Sequence, residues 1–238
     1  MAIKAPIIMA IDTSDIEIAR QWIECVGDSI TAYKLGLEFF ITHGAEGIHK
    51  LRQASDADLF LDLKLHDIPN TVAAAARGAA LVGPRFLTVH ASGGSSMVAS
   101  AVREAGEVDI TAVTILTSLD SDDLLEIGFA KSPLESAVTL AQLAQGAGAR
   151  AIVCSPLEIT AIRQVVGPDL AIITPGVRPA GEENAGDDQA RTMTPEGAIK
   201  LGANYVVIGR PITKFWREGA DQMRDRAARL AEEVSRGS

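Results

Sequence analysis

Short apolar runs alternate with longer amphipathic segments from one end of the chain to the other. Eight of the apolar runs predict strands, at residues 7–11, 32–35, 59–63, 86–89, 110–115, 151–154, 171–173 and 205–208. Most of these runs are apolar at every position, which is typical of strands that are buried on both faces of a parallel sheet.

Helix start signals occur in the segments between the predicted strands. Ser14 is followed three residues later by Glu17, which predicts a capping box at the first helix. Proline is favoured at the first helical position, because the amide there has no helical partner. Three further helices are therefore expected to begin with a cap residue followed by proline, at Ser132, Ser155 and Thr194.

Eight strands that alternate with helices imply a parallel sheet, which leaves two arrangements open. One is an open doubly wound sheet and the other is a closed eight-stranded barrel. The number of strands and the length of 238 residues favour the barrel. No linker or change of composition divides the chain, so we predict a single (β/α)8 TIM barrel of the α/β class over residues 1–238. Residues 116–132 are predicted as a loop with a short helix, and the polar segment 180–188 as a loop.

The composition and net charge of the chain argue against some classes of binding partner, nucleic acid among them. Hydrophobic residues form 47% of the chain and aromatic residues only 4%, so the core must consist mostly of Ala, Val, Ile and Leu. Lys and Arg total 22 against 31 Asp and Glu, a formal net charge of −9, and no basic run is present. Because such a chain repels a phosphate backbone, we expect no nucleic-acid partner.

A membrane partner is not expected either. No apolar stretch of the sequence approaches the ~20 residues that span a bilayer, and the N-terminus lacks the layout of a signal peptide. Cys25 and Cys154 lie far apart in apolar patterns and are expected to be buried as small hydrophobic side chains. These features predict a soluble cytoplasmic protein.

Polar residues occur where the predicted strands end. A barrel of this kind carries its chemistry at the carboxyl-terminal ends of its strands, because the following loops converge there. The polar residues at or just beyond these ends are Asp12, Lys34, Asp62, Lys64, Asp67, His90, Thr114 and Thr117.

Three of these side chains predict a charged cluster. Asp62 and Lys64 are two apart on a strand and so point to the same face, and Lys34 on the neighbouring strand can reach the same region. Charged side chains are rarely buried unless they are paired, so these opposite charges can neutralise one another within a polar site. The structural alternative is a solvated ion-pair network at the barrel rim.

A phosphate site is predicted across the barrel mouth. Phosphate sites in barrels are often built by the loops after the seventh and eighth strands. Here the first of these loops carries Gly176 and Arg178, and the second carries Gly209 and Arg210. Glycine lets backbone N–H groups approach an anion, and arginine binds one bidentately. The alternative is glycine for turns and arginine at a solvated rim, but the same pair in both loops favours phosphate.

The stretch from Asp62 to Val72, DLKLHDIPNTV, resembles the signature of the orotidine 5′-phosphate decarboxylase family. Its D-x-K-x-x-D core is shared with a wider suprafamily that includes 3-keto-gulonate 6-phosphate decarboxylase and hexulose-phosphate synthase. The continuation HDIPNT is more specific. Similar stretches extend the resemblance over nearly the whole chain, at residues 10–12, 33–36, 113–118, 174–179, 187–191 and 207–212.

The resemblance implies a reaction without cofactor or metal, in which orotidine 5′-phosphate becomes uridine 5′-phosphate and CO₂ during de novo pyrimidine biosynthesis. By this likeness Lys64 donates the proton to the carbon that loses CO₂, and Asp62 lies against the departing carboxylate. Lys34 and Asp67 complete the charged array. Contacts with the ribose, the base and the phosphate are implied for Asp12, Thr117, Arg178, Gln189, Gly209 and Arg210.

The resemblance also implies a homodimer, in which Asp67 and Thr71 reach into the partner's site. The segment 180–188 is expected to close over the phosphate as a lid.

Two other functions remain open. One is a metal-dependent phosphosugar decarboxylase or aldolase of the same suprafamily, in which the same charged array is associated with magnesium. The other is a nucleotide-binding barrel without catalysis, which would need no ordered array of Asp62, Lys64 and Asp67.

Overall fold

The structure is a computed structural model, and it describes residues 4–181 and 193–237. Most of the predicted loop at 180–188 therefore lies outside the described residues, and so does Gln189. Within these ranges no helix is both long enough and apolar enough to cross a membrane.

Parallel strands close into a barrel in sequence order, with the first strand paired to the eighth. The strands are β1 (Ala5–Ile11), β2 (Ile30–Gly36), β3 (Asp58–Leu65), β4 (Phe86–His90), β5 (Asp109–Val113), β6 (Ala151–Val153), β7 (Ala171–Thr174) and β8 (Tyr205–Ile208). The predicted (β/α)8 barrel is confirmed, and the open sheet is excluded.

Helices surround the barrel and connect consecutive strands. Those in the described ranges are α1 (Ile16–Val26), α2 (Leu37–Leu51), α3 (Pro69–Ala80), α4 (Ser95–Glu104), α5 (Ser121–Glu126), α6 (Pro133–Gly146), α7 (Ile159–Val166), α8 (Pro195–Lys200), α9 (Arg210–Thr213) and α10 (Ala220–Ser235). The helix predicted within residues 116–132 is α5. Short 3₁₀ helices occur at Ala91–Gly93, Pro156–Glu158 and Lys214–Glu218.

The cap predictions hold at three helices and fail at one. Ser132 and Ser155 each form a capping box with the Glu three residues later, and the side chain of Thr194 accepts a hydrogen bond from the Gly197 amide. The prediction for Ser14 is wrong. Asp15 caps α1 instead, because its carboxylate accepts hydrogen bonds from two first-turn amides at 2.9 and 3.0 Å.

Packed side chains fill the lumen of the barrel. Ile8, Ala32, Phe60, Phe86, Ala151 and Ile173 form one buried cluster there. The Phe86 ring contacts the rings of Phe60 and Tyr205 edge-on, with centroids 5.7 and 5.6 Å apart. A larger apolar cluster lies between the barrel and the helices, and the predicted burial of Cys25 and Cys154 is confirmed there. The strands are thus packed against apolar side chains on both faces, and their carboxyl-terminal ends lie above a lumen that is filled with side chains.

Candidate active site

The carboxyl-terminal ends of the strands enclose a cavity of about 320 Å³. Phe60, Val153 and Val207 line it, and they also belong to the lumen cluster or pack against it, so the cavity opens directly above the barrel core. The structure brings eight of the sequence-predicted site residues to this one cavity: Asp12, Lys34, Asp62, Lys64, Thr117, Arg178, Gly209 and Arg210.

Two of the predicted site residues are not brought to this cavity. Asp67 lies on the loop after β3 and Thr71 in the first turn of α3, and both are exposed and absent from the cavity lining. The carboxylate of Asp67 accepts a hydrogen bond from the adjacent Ile68 amide. Ile68 is 66% exposed, although it is a large apolar residue. The segment that carries the family signature therefore points partly away from the site of its own chain.

Asp62 lies at the centre of a compact charged cluster. Its Oδ1 is 2.8 Å from Lys64 Nζ, and its Oδ2 is 3.4 Å from Lys34 Nζ. The side chains of Asp62 and Lys34 are only 11% and 15% exposed, and that of Lys64 is 32% exposed. The alternative of a solvated network at the rim does not fit this burial. The cluster instead forms part of the cavity wall.

The carboxyl group of Asp62 is held in its ionised form. Burial by itself would raise the pKa of Asp62, but the ammonium groups of Lys34 and Lys64 lower it, together with hydrogen bonds from Lys64 and Thr88. The net shift is downward from the usual pKa. At neutral pH the site thus contains a fixed negative charge between two ammonium groups.

The backbone at Lys64 is unusual. Its φ is 49°, and Lys64 is the one non-glycine residue with positive φ in the described part of the chain. The register between β3 and β4 shifts between Leu61 and Leu65, so the strand is irregular at this point. A left-handed residue with a side chain costs on the order of 1–3 kcal/mol, and such strain concentrates at functional sites. The surrounding hydrogen bonds must therefore hold Lys64 in place.

Thr88 supports the charged cluster from behind the cavity wall, and it is not among the residues predicted from the sequence. It lies on β4, is fully buried, and accepts a hydrogen bond from the Lys64 backbone N–H at 2.8 Å. Its hydroxyl donates to Asp62 Oδ1 at 3.0 Å. One signal was available in the sequence, because Thr88 is a polar residue inside an apolar strand and lies two positions before His90.

The predicted phosphate loops lie at the other side of the cavity. Gly176 has a φ of 79°, which favours glycine, and it turns the chain after β7. Two residues later, the Arg178 amide donates a hydrogen bond to the Met193 carbonyl at 2.9 Å, beside a parallel bridge between Val177 and Met193. Gly209 follows β8, and a Cβ atom there would lie 3.3 Å from Asp12 Oδ2. The absence of a side chain at Gly209 thus lets the end of β8 approach the end of β1.

The charge of the cavity is opposite to that of the chain. Among the lining residues that the structure describes, four side chains are cationic and two are anionic. The cations are Lys34, Lys64, Arg178 and Arg210, and the anions are Asp12 and Asp62. The whole chain has a formal net charge of −9. This local excess of positive charge suits a small anionic ligand.

His90 and Thr114 lie beside the main cavity. They line a smaller space of about 150 Å³ with His66, whose ring centroid is 5.5 Å from that of His90. Burial lowers the pKa of His90, and His66 and Lys64 lower it further. Thr114 is buried, and its hydroxyl donates to the Val153 carbonyl. Within residues 4–181 and 193–237, no three His, Cys, Asp or Glu side chains are grouped so that they could hold a metal ion.

The fold and the site define a (β/α)8 barrel with a buried Lys–Asp–Lys cluster facing cationic loops across one cavity. The profile of the orotidine 5′-phosphate decarboxylase / HUMPS family matches residues 5–216. The chain belongs to this family.

Individual relatives agree with the family match. An orotidine 5′-phosphate decarboxylase of Thermobifida fusca (strain YX) is 50% identical over 233 residues, which cover 98% of this chain and 97% of the relative. One from Anaeromyxobacter sp. (strain K) is 48% identical and covers 85% of this chain and 88% of its own. The crystal structure of orotidine 5′-phosphate decarboxylase from Lactobacillus acidophilus superposes with a TM-score of 0.82 at 36% identity, over 97% of this chain and 99% of that one.

Proposed function

We propose that this protein decarboxylates orotidine 5′-phosphate to uridine 5′-phosphate and CO₂, in de novo pyrimidine biosynthesis and in the cytoplasm. The observation that carries the proposal is the buried cluster of Lys34, Asp62 and Lys64, which faces two arginine-bearing loops across one cavity. Relatives that align with nearly the full chain carry the name of this activity.

The phosphate fixes the direction of the substrate in the cavity. Arg178 and Arg210 hold it at the loops after β7 and β8, with backbone N–H groups near Gly209 and the side chain of Gln189 as further partners. The ribose then lies beside Asp12 and Lys34, and the base beside Thr117. This orientation carries the carboxylate of the base toward Asp62 and Lys64. Binding energy from the remote phosphate can thus be used to order the reacting groups.

Lys64 acts on the carbon that loses CO₂. The bond between that carbon and the carboxylate breaks, CO₂ leaves, and the electron pair remains on the carbon. The ammonium of Lys64 stabilises this charge as it forms and then transfers a proton to the carbon. Lys64 regains its proton from solvent. Asp62 holds the ammonium at 2.8 Å, and its negative charge opposes the substrate carboxylate until the neutral CO₂ departs.

The active sites are proposed to be shared in a homodimer, with Asp67 and Thr71 serving the partner's cavity. Three observations support this. Both residues are exposed and do not line the cavity of their own chain. The neighbouring Ile68 is 66% exposed, and contact with a second copy would bury it. In the cluster described here two ammonium groups face one carboxylate, so an Asp67 from the partner would balance the charge.

A heterodimer of two inactive variants tests this arrangement. Lys64→Ala and Asp67→Asn chains are co-expressed with different tags, and the mixed dimer is purified by both. If Asp67 acts in the partner's site, one of the two sites is intact, so the mixed dimer has about half the wild-type activity. A mixed dimer as inactive as the two parent homodimers would instead place Asp67 in its own chain's site and refute the shared arrangement.

The proposed reaction is tested by the loss of ultraviolet absorbance when purified protein meets orotidine 5′-phosphate. We expect the same rate with and without a strong chelator. An activity that disappears with the chelator and returns with Mg²⁺, or that appears only with a phosphosugar, would favour the metal-dependent members of the suprafamily. Tight binding of uridine 5′-phosphate without turnover of orotidine 5′-phosphate would favour a nucleotide-binding barrel without catalysis.

A further inference from the structure

Lys64, Thr88 and Asp62 form a closed ring of hydrogen bonds. The Lys64 backbone N–H donates to Thr88 Oγ1 at 2.8 Å, and Thr88 Oγ1 donates to Asp62 Oδ1 at 3.0 Å. The same Oδ1 accepts from Lys64 Nζ at 2.8 Å. The hydroxyl of Thr88 has one proton to donate and lone pairs to accept, so both of its bonds can exist together.

This ring lies at the irregular part of β3. Lys64 has a φ of 49° where the pairing of β3 with β4 changes register. Its amide is bonded to a side chain of β4. Thr88 is fully buried, and a β-branched side chain has few rotamers, so its hydroxyl is a fixed anchor for this amide.

We infer that Thr88 is a positioning residue for the proposed reaction: it holds the left-handed backbone of Lys64 and the carboxylate of Asp62, and so aims the Lys64 ammonium into the cavity. Thr88 is absent from the cavity lining and thus touches no substrate there. The inference rests on the proposed function, since the ammonium that it aims is the proton donor of that reaction.

Three variants separate the hydroxyl from the rest of the side chain. Thr88→Val keeps the shape and removes the hydroxyl, and Thr88→Ser keeps the hydroxyl and removes the methyl group. Thr111→Val is the matched control. Thr111 pairs with Thr88 across β4 and β5 and is equally buried, but its hydroxyl bonds to the Asp109 carbonyl.

Activity is measured per site that binds uridine 5′-phosphate, so that unfolded protein does not count. For Thr88→Val we expect kcat to fall about 10–100-fold, with KM changed less than about threefold, because a misplaced catalytic group costs rate rather than binding. Asp62 also loses a hydrogen bond to its charged form, which raises its pKa, so the acid limb of kcat moves to higher pH. Thr88→Ser and Thr111→Val should stay within about threefold of wild type.

Amide hydrogen exchange of Lys64 gives a readout without substrate. We expect it to be at least about tenfold faster in Thr88→Val than in wild type, because the amide loses its bonded partner. The inference is overturned if kcat, its acid limb and the Lys64 exchange in Thr88→Val all match wild type. It is also overturned if Thr88→Ser or Thr111→Val loses as much rate as Thr88→Val. If the wild type itself shows no turnover, the proposed function fails, and the Lys64 exchange alone decides the role of Thr88.

Discussion

Replacing Lys64 by Ala is expected to lower kcat by about 10⁴-fold or more, because in the proposed reaction Lys64 is both the general acid and the charge that stabilises the forming carbanion. The affinity for uridine 5′-phosphate should change by no more than about threefold, since this product has neither the carboxylate nor the carbanion on which Lys64 is proposed to act. Single-turnover rates and calorimetric titration with uridine 5′-phosphate measure the two quantities separately.

Lys50→Ala is the control for this variant. Lys50 is exposed on α2, is paired with Glu46 and does not line the cavity. Its removal should leave kcat unchanged, because an exposed helical ion pair contributes little. Near-normal turnover by Lys64→Ala would contradict the assignment of the proton donor, and loss of uridine 5′-phosphate binding would show instead that Lys64 supports the site's structure.

Arg210→Ala is expected to lower kcat/KM for orotidine 5′-phosphate by about 10²–10³-fold, because in the proposed function the arginine makes charge-assisted hydrogen bonds to the phosphate. Part of the loss should appear in kcat, since the phosphate helps to order the reacting groups. The reaction of orotidine, which has no phosphate, gives the decisive comparison. For orotidine, kcat/KM of the variant should lie within about twofold of the wild-type value.

Arg217→Ala is the matched control for Arg210. Arg217 is an exposed residue of the 3₁₀ helix Lys214–Glu218 and does not line the cavity. The Arg217→Ala variant should leave kcat/KM unchanged for both orotidine 5′-phosphate and orotidine. If Arg210→Ala impaired the reaction of orotidine as strongly as that of orotidine 5′-phosphate, Arg210 would be supporting the barrel mouth rather than binding the phosphate.

The fold could be predicted from the sequence because its signals are local and repeated. Strands that are apolar at every position indicate a parallel sheet that is covered by helices on its outer face and packed on its inner face. The cap residues followed by proline at Ser132, Ser155 and Thr194 mark the starts of helices. The error at Ser14 has a physical reason. Two neighbouring residues can each cap α1, and the carboxylate of Asp15 reaches the first-turn amides.

The charged cluster was predicted for a reason that is only partly right. A spacing of two residues places Asp62 and Lys64 on one face of a regular strand. In the structure Lys64 has a left-handed backbone and β3 shifts register, yet its ammonium still lies 2.8 Å from Asp62. Alternation along a strand contains no information about such an irregularity, and it could not reveal that Thr88 on the next strand holds it.

The position of Asp67 could not be predicted from its spacing in the sequence. The motif places Asp67 five residues after Asp62, but the chain turns outward after β3, so the two carboxylates do not share one cavity in this chain. Spacing along the sequence cannot tell whether a residue serves its own chain or a partner. The family resemblance implies that Asp67 serves the partner, and the mixed-dimer experiment tests this.

The central claim is that the Lys34–Asp62–Lys64 cluster decarboxylates orotidine 5′-phosphate and that Lys64 supplies the proton. The most direct test is to incubate the wild type and Lys64→Ala with orotidine 5′-phosphate in D₂O and to follow the products by NMR. We expect the wild type to release CO₂ and uridine 5′-phosphate in equal amounts, with one deuterium on the carbon that lost its carboxylate, and Lys64→Ala to form both products about 10⁴-fold or more slowly. Unchanged orotidine 5′-phosphate with the wild type, or the same labelled product at a similar rate from Lys64→Ala, would contradict the central claim.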